Sequence, residues 1–90
     1  MSKYVWVFTG SSGRFPVGVF ESIDQAELVI LKYELNGVLT KYPVNKSTLD
    51  YCIQNELFTP NDKKLSPKYV ERFSSAYMDH IHYEAGQRKT

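Results

Sequence analysis

Apolar side chains fill Tyr4-Val5-Trp6-Val7-Phe8 without interruption. A β-branched and aromatic run of this kind predicts a strand packed on both faces and central in its sheet. Phe15 to Phe20 predicts a second strand, with Pro16 near its start, where a missing amide donor is tolerated. The connection Thr9-Gly10-Ser11-Ser12-Gly13-Arg14 has the look of a phosphate loop. It leads into a strand rather than a helix, however, and its glycines fit neither G-x-x-x-x-G-K-[ST] nor G-x-G-x-x-G. It is read as a hairpin connection in which Gly10 and Gly13 supply positive φ.

From Ser22 the period changes. Ser22-Ile23-Asp24-Gln25 matches a capping box and predicts a helix from Ile23 to Leu35, stopped by Asn36-Gly37 as a left-handed cap. Ala26, Val29, Ile30 and Tyr33 follow helical spacing and should face the sheet. Leu28, Leu31 and Leu35 form a second apolar stripe, to be covered by the C-terminal half of the chain or by another protein. Val38 to Tyr42 predicts a third strand, ended by Pro43. Asn45 or Ser47 caps a short helix with Leu49, Cys52, Ile53 and Leu57 on one face. After a polar loop from Thr59 to Leu65, Ser66-Pro67 opens another helix, with Tyr69, Val70 and Phe73 inward. Tyr77 to Glu84 alternates as a last strand, and residues 85–90 are expected as a flexible tail after an ordered core at about 3–84. The order β-β-α-β-α-α-β describes one α+β domain over residues 1–90 with a mainly antiparallel sheet. A right-handed crossover through the first helix sets the third strand beside the first.

Composition adds limits. The net charge of +1, from 11 basic and 10 acidic residues, gives no field that would announce nucleic acid. Lys63, Lys64, Lys68 and Arg72 are diluted by Asp62 and Glu71. The lone Cys52 excludes an intramolecular disulfide framework and suits a reducing compartment. No run approaches the ~20 apolar residues of a membrane span, and the start lacks the pattern of a signal peptide. A cytoplasmic protein without a membrane role is expected. Seven tyrosines are many for 90 residues, and tyrosine, apolar with a polar tip, is enriched in interfaces.

One polar cluster has chemical potential. His80, His82 and Glu84 share a face of the last strand, and two histidines with a carboxylate are a sensible set for zinc or iron. A solvated strand face explains the same spacing, and no further ligand stands out. Cys52 lies on the apolar side of its helix and no serine has a nucleophile context. The chain is therefore read as a binding protein rather than an enzyme, with no cofactor.

The segments V-W-V-F at 5–8, F-P-V-G-V-F at 15–20, G-V-L-T-K-Y-P at 37–43 and F-S-S-A through H-I-H-Y-E, ending at Glu84, resemble a group of small bacterial domains of unknown function. In size and organisation the chain is also similar to immunity proteins that neutralise secreted or contact-dependent toxins. That similarity implies a cytosolic protein occluding the active site of a cognate toxin, with a nuclease the expected kind. Glu27, Glu34, Tyr51, Asp62 and Tyr69 are the expected contacts, acids against a basic cleft and rings as anchors. The alternatives are a metal-binding domain or enzyme on His80, His82 and Glu84, and a homo-oligomer through Leu28, Leu31 and Leu35.

Overall fold

The computed structural model describes residues 3–59, 66–73 and 77–89. The two apolar runs at the start of the chain form β1 (Tyr4–Gly10) and β2 (Pro16–Phe20), which pair antiparallel with a bulge where β2 passes Phe8 and Thr9. Their connection turns without positive φ at Gly10 or Gly13, since Gly37 and Gly86 are the glycines with positive φ among the described residues. Instead, Gly13 donates its N–H to the Gly10 carbonyl at 3.1 Å and Ser11 donates to the Asn36 carbonyl at 2.9 Å. With those amides already committed, the loop has no cradle to offer a phosphate.

Helix α1 (Ile23–Lys32) starts as expected, the Ser22 hydroxyl accepting the Gln25 N–H at 3.2 Å. It ends three residues earlier than predicted. Glu34 takes the left-handed conformation at φ 52°, Leu35 donates to the Ile30 carbonyl at 3.0 Å, and Glu34 donates to that of Leu31 at 3.2 Å. This is a Schellman ending, and it brings Leu35 against the core beside Ile30. Turning early is what lets Leu35 pack, half-buried, against the core. It also leaves Tyr33, expected on the inner face, as the helix cap: its ring is 62% exposed, with the Lys32 ammonium 5.2 Å from its centroid.

Asn36 and Gly37, predicted as the cap, act elsewhere. The Asn36 side-chain oxygen accepts the Ala85 N–H at 2.7 Å. Gly37 opens β3 (Gly37–Pro43), where a Cβ would stand 2.2 Å from the Thr9 carbonyl oxygen. Helix α2 (Thr48–Gln54) is capped by Ser47 and ends on the same device as α1: Glu56 lies at φ 57° and Leu57 donates to the Cys52 carbonyl at 2.8 Å. Leu49 and Cys52 are buried and Ile53 half-buried, while Leu57 is exposed. The Cys52 thiol packs 3.8 Å from the Met78 sulfur, and burial pushes its pKa up. Helix α3 (Pro67–Arg72) begins at Ser66, as its Ser-Pro start predicted.

The last strand, β4, is shorter than expected, His80–Glu84. The expected tail is a further strand, β5 (Gln87–Arg88), antiparallel to β4. Ala85 and Gly86 lie at φ 50° and 83°, the double positive φ of a two-residue type I′ hairpin turn. Sheet order is β2-β1-β3-β4-β5, with β1 flanked by β2 and β3 as the crossover argument requires. All four pairings are antiparallel, which makes the domain α+β.

Register divides the sheet into two faces. Ile81, Leu39, Phe8 and Gly18 form one row across four strands, with Lys41, Trp6 and Phe20 beside it. This is the helix side. Phe8, Leu39 and Tyr83 are buried with Ala26 and Ile30 of α1, and Trp6, Phe20, Ile23, Leu35 and Ile81 pack around them. The α2 ring Tyr51 stands edge-to-face against Tyr4, which alternates with Trp6 and Phe8. Helix α1 therefore lies on this side, while α2 meets Tyr4 through Tyr51 and packs its buried Cys52 on Met78, two residues before His80.

Candidate binding surface

The opposite face carries the other parity. Its central row is His80, Thr40, Val7 and Val19, flanked by His82, Val38 and Thr9 on one side and Tyr42 with Val5 on the other. The helix-side core takes no residue from this set. An antiparallel sheet with one wet face ordinarily alternates apolar inward and polar outward. Here the outward set includes Val5, Val7, Val19, Val38 and Tyr42. Val19 is 62% exposed, Val5, Val7, Val38 and Tyr42 are half-buried, and Thr40 at the centre is buried at 6% exposure. A contiguous apolar surface of this kind makes this face the candidate binding surface.

The two histidines rim that surface on β4. Both are exposed, with ring centroids 5.1 Å apart and edge-to-face. His80 Nδ1 lies 2.8 Å from the Met78 carbonyl; a carbonyl only accepts, so Nδ1 carries the proton. Glu84, the third member of the expected metal set, is exposed and paired with the Lys89 ammonium at 3.7 Å. Among the described residues no three His, Cys, Asp or Glu side chains converge as a metal site.

The four described members of the expected contact set, Glu27, Glu34, Tyr51 and Tyr69, do not form one surface. Glu27 points toward β4 and β5, where one carboxylate oxygen accepts from the Tyr83 hydroxyl at 2.6 Å and from Arg88 Nε at 2.5 Å. These bonds hold the Glu27 carboxyl below its ordinary pKa, the Arg88 bond contributing most. In return, burial and the carboxylate push the Tyr83 phenol up to about 12. Glu27 is thus committed inside the fold. Glu34 is exposed at the end of α1, near Gly86. Tyr51 sits at the other end of the sheet, beside Tyr4, its pKa raised by burial and then by Tyr4. Tyr69 belongs to a separate aromatic group, stacked on Phe58 at 6.3 Å and 6.2 Å from Phe73, with Tyr77 against both phenylalanines. Asp62 lies outside the described residues. The second apolar stripe is reduced as well: Leu35 is in the core, while Leu28 and Leu31 are 65% and 55% exposed. The C-terminal hairpin covers Leu31 only in part, through an open cleft of about 380 Å³ lined by Leu31, Glu27, Tyr83, Gly86, Gln87 and Arg88.

Sequence reasoning missed the open face and the role of Arg88. The signal for the first was present: β1 is apolar at both parities, and α1 on one side can cover only one of them. The signal for the second was Ala85-Gly86 between a predicted strand and a basic pair.

What the geometry defines is an antiparallel sheet with α1 on one face and an apolar second face outside that core. The chain belongs to a family of domains of unknown function (DUF7710), matched over residues 5–89. No curated protein and no solved structure matches it. No helix among the described residues is long and apolar enough to cross a membrane.

Proposed function

We propose that the domain is a protein-binding module whose partner docks on the open face of the sheet, around Val5, Val7, Val38 and Tyr42. The observation that supports this is the reversal of the usual outward polarity on that face. Valine and tyrosine on the sheet, bordered by His80, His82 and Thr9, give the apolar centre and polar rim of an interface. A partner burying about 800 Å² here would make an interface of standard size.

Within this reading the domain acts as an immunity protein that neutralises a cognate toxin by covering its active site, as its similarity in size and organisation to such proteins suggests. Of the described acids expected to oppose a basic nuclease cleft, Glu27 is bound to Arg88 and Tyr83, so the reading rests on apolar fit rather than charge. The test is affinity capture from the native host with the tagged protein and with its Val38→Lys and Val5→Lys variants, followed by mass spectrometry. A stoichiometric partner held by the parent and lost by both variants is the expected outcome, and adding the domain should suppress that partner's activity. A partner retained equally by folded variants removes the open face from the proposal. A partner that keeps full activity when bound removes the immunity reading and leaves the binding one.

A further inference from the structure

Tyr4 opposite Pro43 closes one end of the β1–β3 ladder, and just beyond it the Val44 N–H donates to the Lys3 carbonyl at 3.0 Å. Asn45, at φ 62°, then turns the chain toward α2. The turn leaves a cleft of about 490 Å³ whose wall includes Lys3, Tyr4, Pro43, Val44, Lys46 and Tyr51. Its charge is of one sign. Lys3 and Lys46 line it and no acid does, while the Lys41 ammonium stands over the Tyr4 ring, 4.4 Å from its centroid. The ion pairs among the described residues are Arg88 with Glu27 and Lys89 with Glu84, so none of these three lysines is in one. Lys46 Nζ donates to Gln54 Oε1, a neutral acceptor, and an ammonium has two further N–H groups to offer. Asp79, whose charge Tyr51 senses, is not in the lining. Burial above all holds the Tyr51 pKa above its ordinary value, so its O–H stays a donor well past neutral pH.

We propose that this cleft binds a small-molecule phosphate monoester, with its phosphate on the ammonium groups of Lys3 and Lys46 and its organic body against Tyr4, Tyr51, Pro43 and Val44. Separate ammonium groups on flexible stems act as point charges from different directions, which suits the several oxygens of a phosphate. A planar carboxylate is matched instead by the fork of an arginine, and no arginine lines the cleft. The phenol O–H groups add donors of fixed position. The volume falls in the range of small-molecule sites, and the two rings, set edge-to-face, give the apolar wall that such sites place beside a few polar groups. The lining shares no residue with Val5, Val7, Val38 and Tyr42 of the open face, so the site stands or falls separately from the protein-binding reading.

Titrating the isotope-labelled chain with phenyl phosphate at low ionic strength, followed by amide chemical shifts, tests this; unchanged shifts elsewhere are the folding control. The amides of Tyr4, Val44, Asn45, Lys46 and Tyr51 should move and saturate together. Lys3→Gln and Lys46→Gln should each raise the dissociation constant by at least about fivefold. Lys32→Gln, which removes an ammonium from over the Tyr33 ring away from the cleft, should leave it within about twofold. Benzoate and inorganic phosphate should each bind at least about fivefold more weakly than phenyl phosphate. Shifts that do not saturate at these amides overturn the proposal, as does a dissociation constant indifferent to both cleft lysines or equally sensitive to Lys32→Gln. Benzoate binding as tightly as phenyl phosphate would reduce the cleft to a general anion patch, and inorganic phosphate doing so would remove the organic body. A phosphotyrosine peptide binding more than about tenfold tighter than phenyl phosphate would overturn the small-molecule assignment in favour of a phosphorylated protein.

Discussion

Glu27 shows how one side chain can change its meaning between sequence and fold. On a helical wheel it is a surface acid. In the molecule it ties α1 to the C-terminal hairpin by accepting from Tyr83, itself 4% exposed, and from Arg88. Glu27→Gln keeps an acceptor but loses the charge, and should cost about 1 kcal/mol in urea unfolding. The pH dependence follows from the two shifts. The depressed Glu27 pKa means that its stabilisation is complete above its ordinary value of 4.5 and is lost as pH falls through the lower folded value. The raised Tyr83 pKa works at the other end, present below the ordinary value of 10.0 and lost as pH rises toward about 12. Stability profiles should therefore flatten on the acid side in Glu27→Gln and on the alkaline side in Tyr83→Phe; a Glu27→Gln profile parallel to wild type below pH 4.5 would show that the ion pair adds nothing. Gly37 is a stricter case, since an added Cβ meets backbone rather than a side chain that could move. Gly37→Ala should destabilise by roughly 3 kcal/mol, measured by the shift in denaturant midpoint.

At the level of elements, the starts of the helices were legible and their ends were not. Ser22, Ser47 and Ser66 each accept the N–H three residues on, the local chemistry that the sequence announces. The stops of α1 and α2 use glutamate in the left-handed position, Glu34 and Glu56, because the next residue is a leucine with core to reach in the first case. Tertiary burial outweighs the ~1 kcal/mol that an L residue loses there, and no local rule reports it. The Asn36-Gly37 signal was real but belonged to the approach of β1 and the C-terminal turn. The strands followed from apolar density, yet density could not say that only one face of β1 would be covered. Glu34→Gly and Glu56→Gly should each stabilise by about 1 kcal/mol, since glycine adopts the left-handed cap without steric cost. Thermal unfolding checks this, and a lowered Tm in either variant would mean that the glutamate side chain is held by contacts worth more than the backbone strain.

For the whole molecule, the decisive feature is that α1 lies on one side of a sheet whose strands are apolar on both. A domain that needed both faces for its own stability would respond alike to polar substitution on either. This one should not, and adjacent residues of β1 make the comparison within a single strand. Phe8 is fully buried under α1, and Phe8→Ala should cost about 3–5 kcal/mol through lost burial and the cavity left behind. Val7, one residue earlier and on the other face, is half-buried between Val19 and Thr40. Val7→Thr retains the β-branched shape that a strand favours and should change stability by less than about 1 kcal/mol. Val38→Thr should behave the same way, while either change should weaken a partner held on the open face. Urea titrations of the three variants decide it. Costs for Val7→Thr or Val38→Thr approaching that of Phe8→Ala would place the open face in the domain's own core and leave it no surface to lend to a partner.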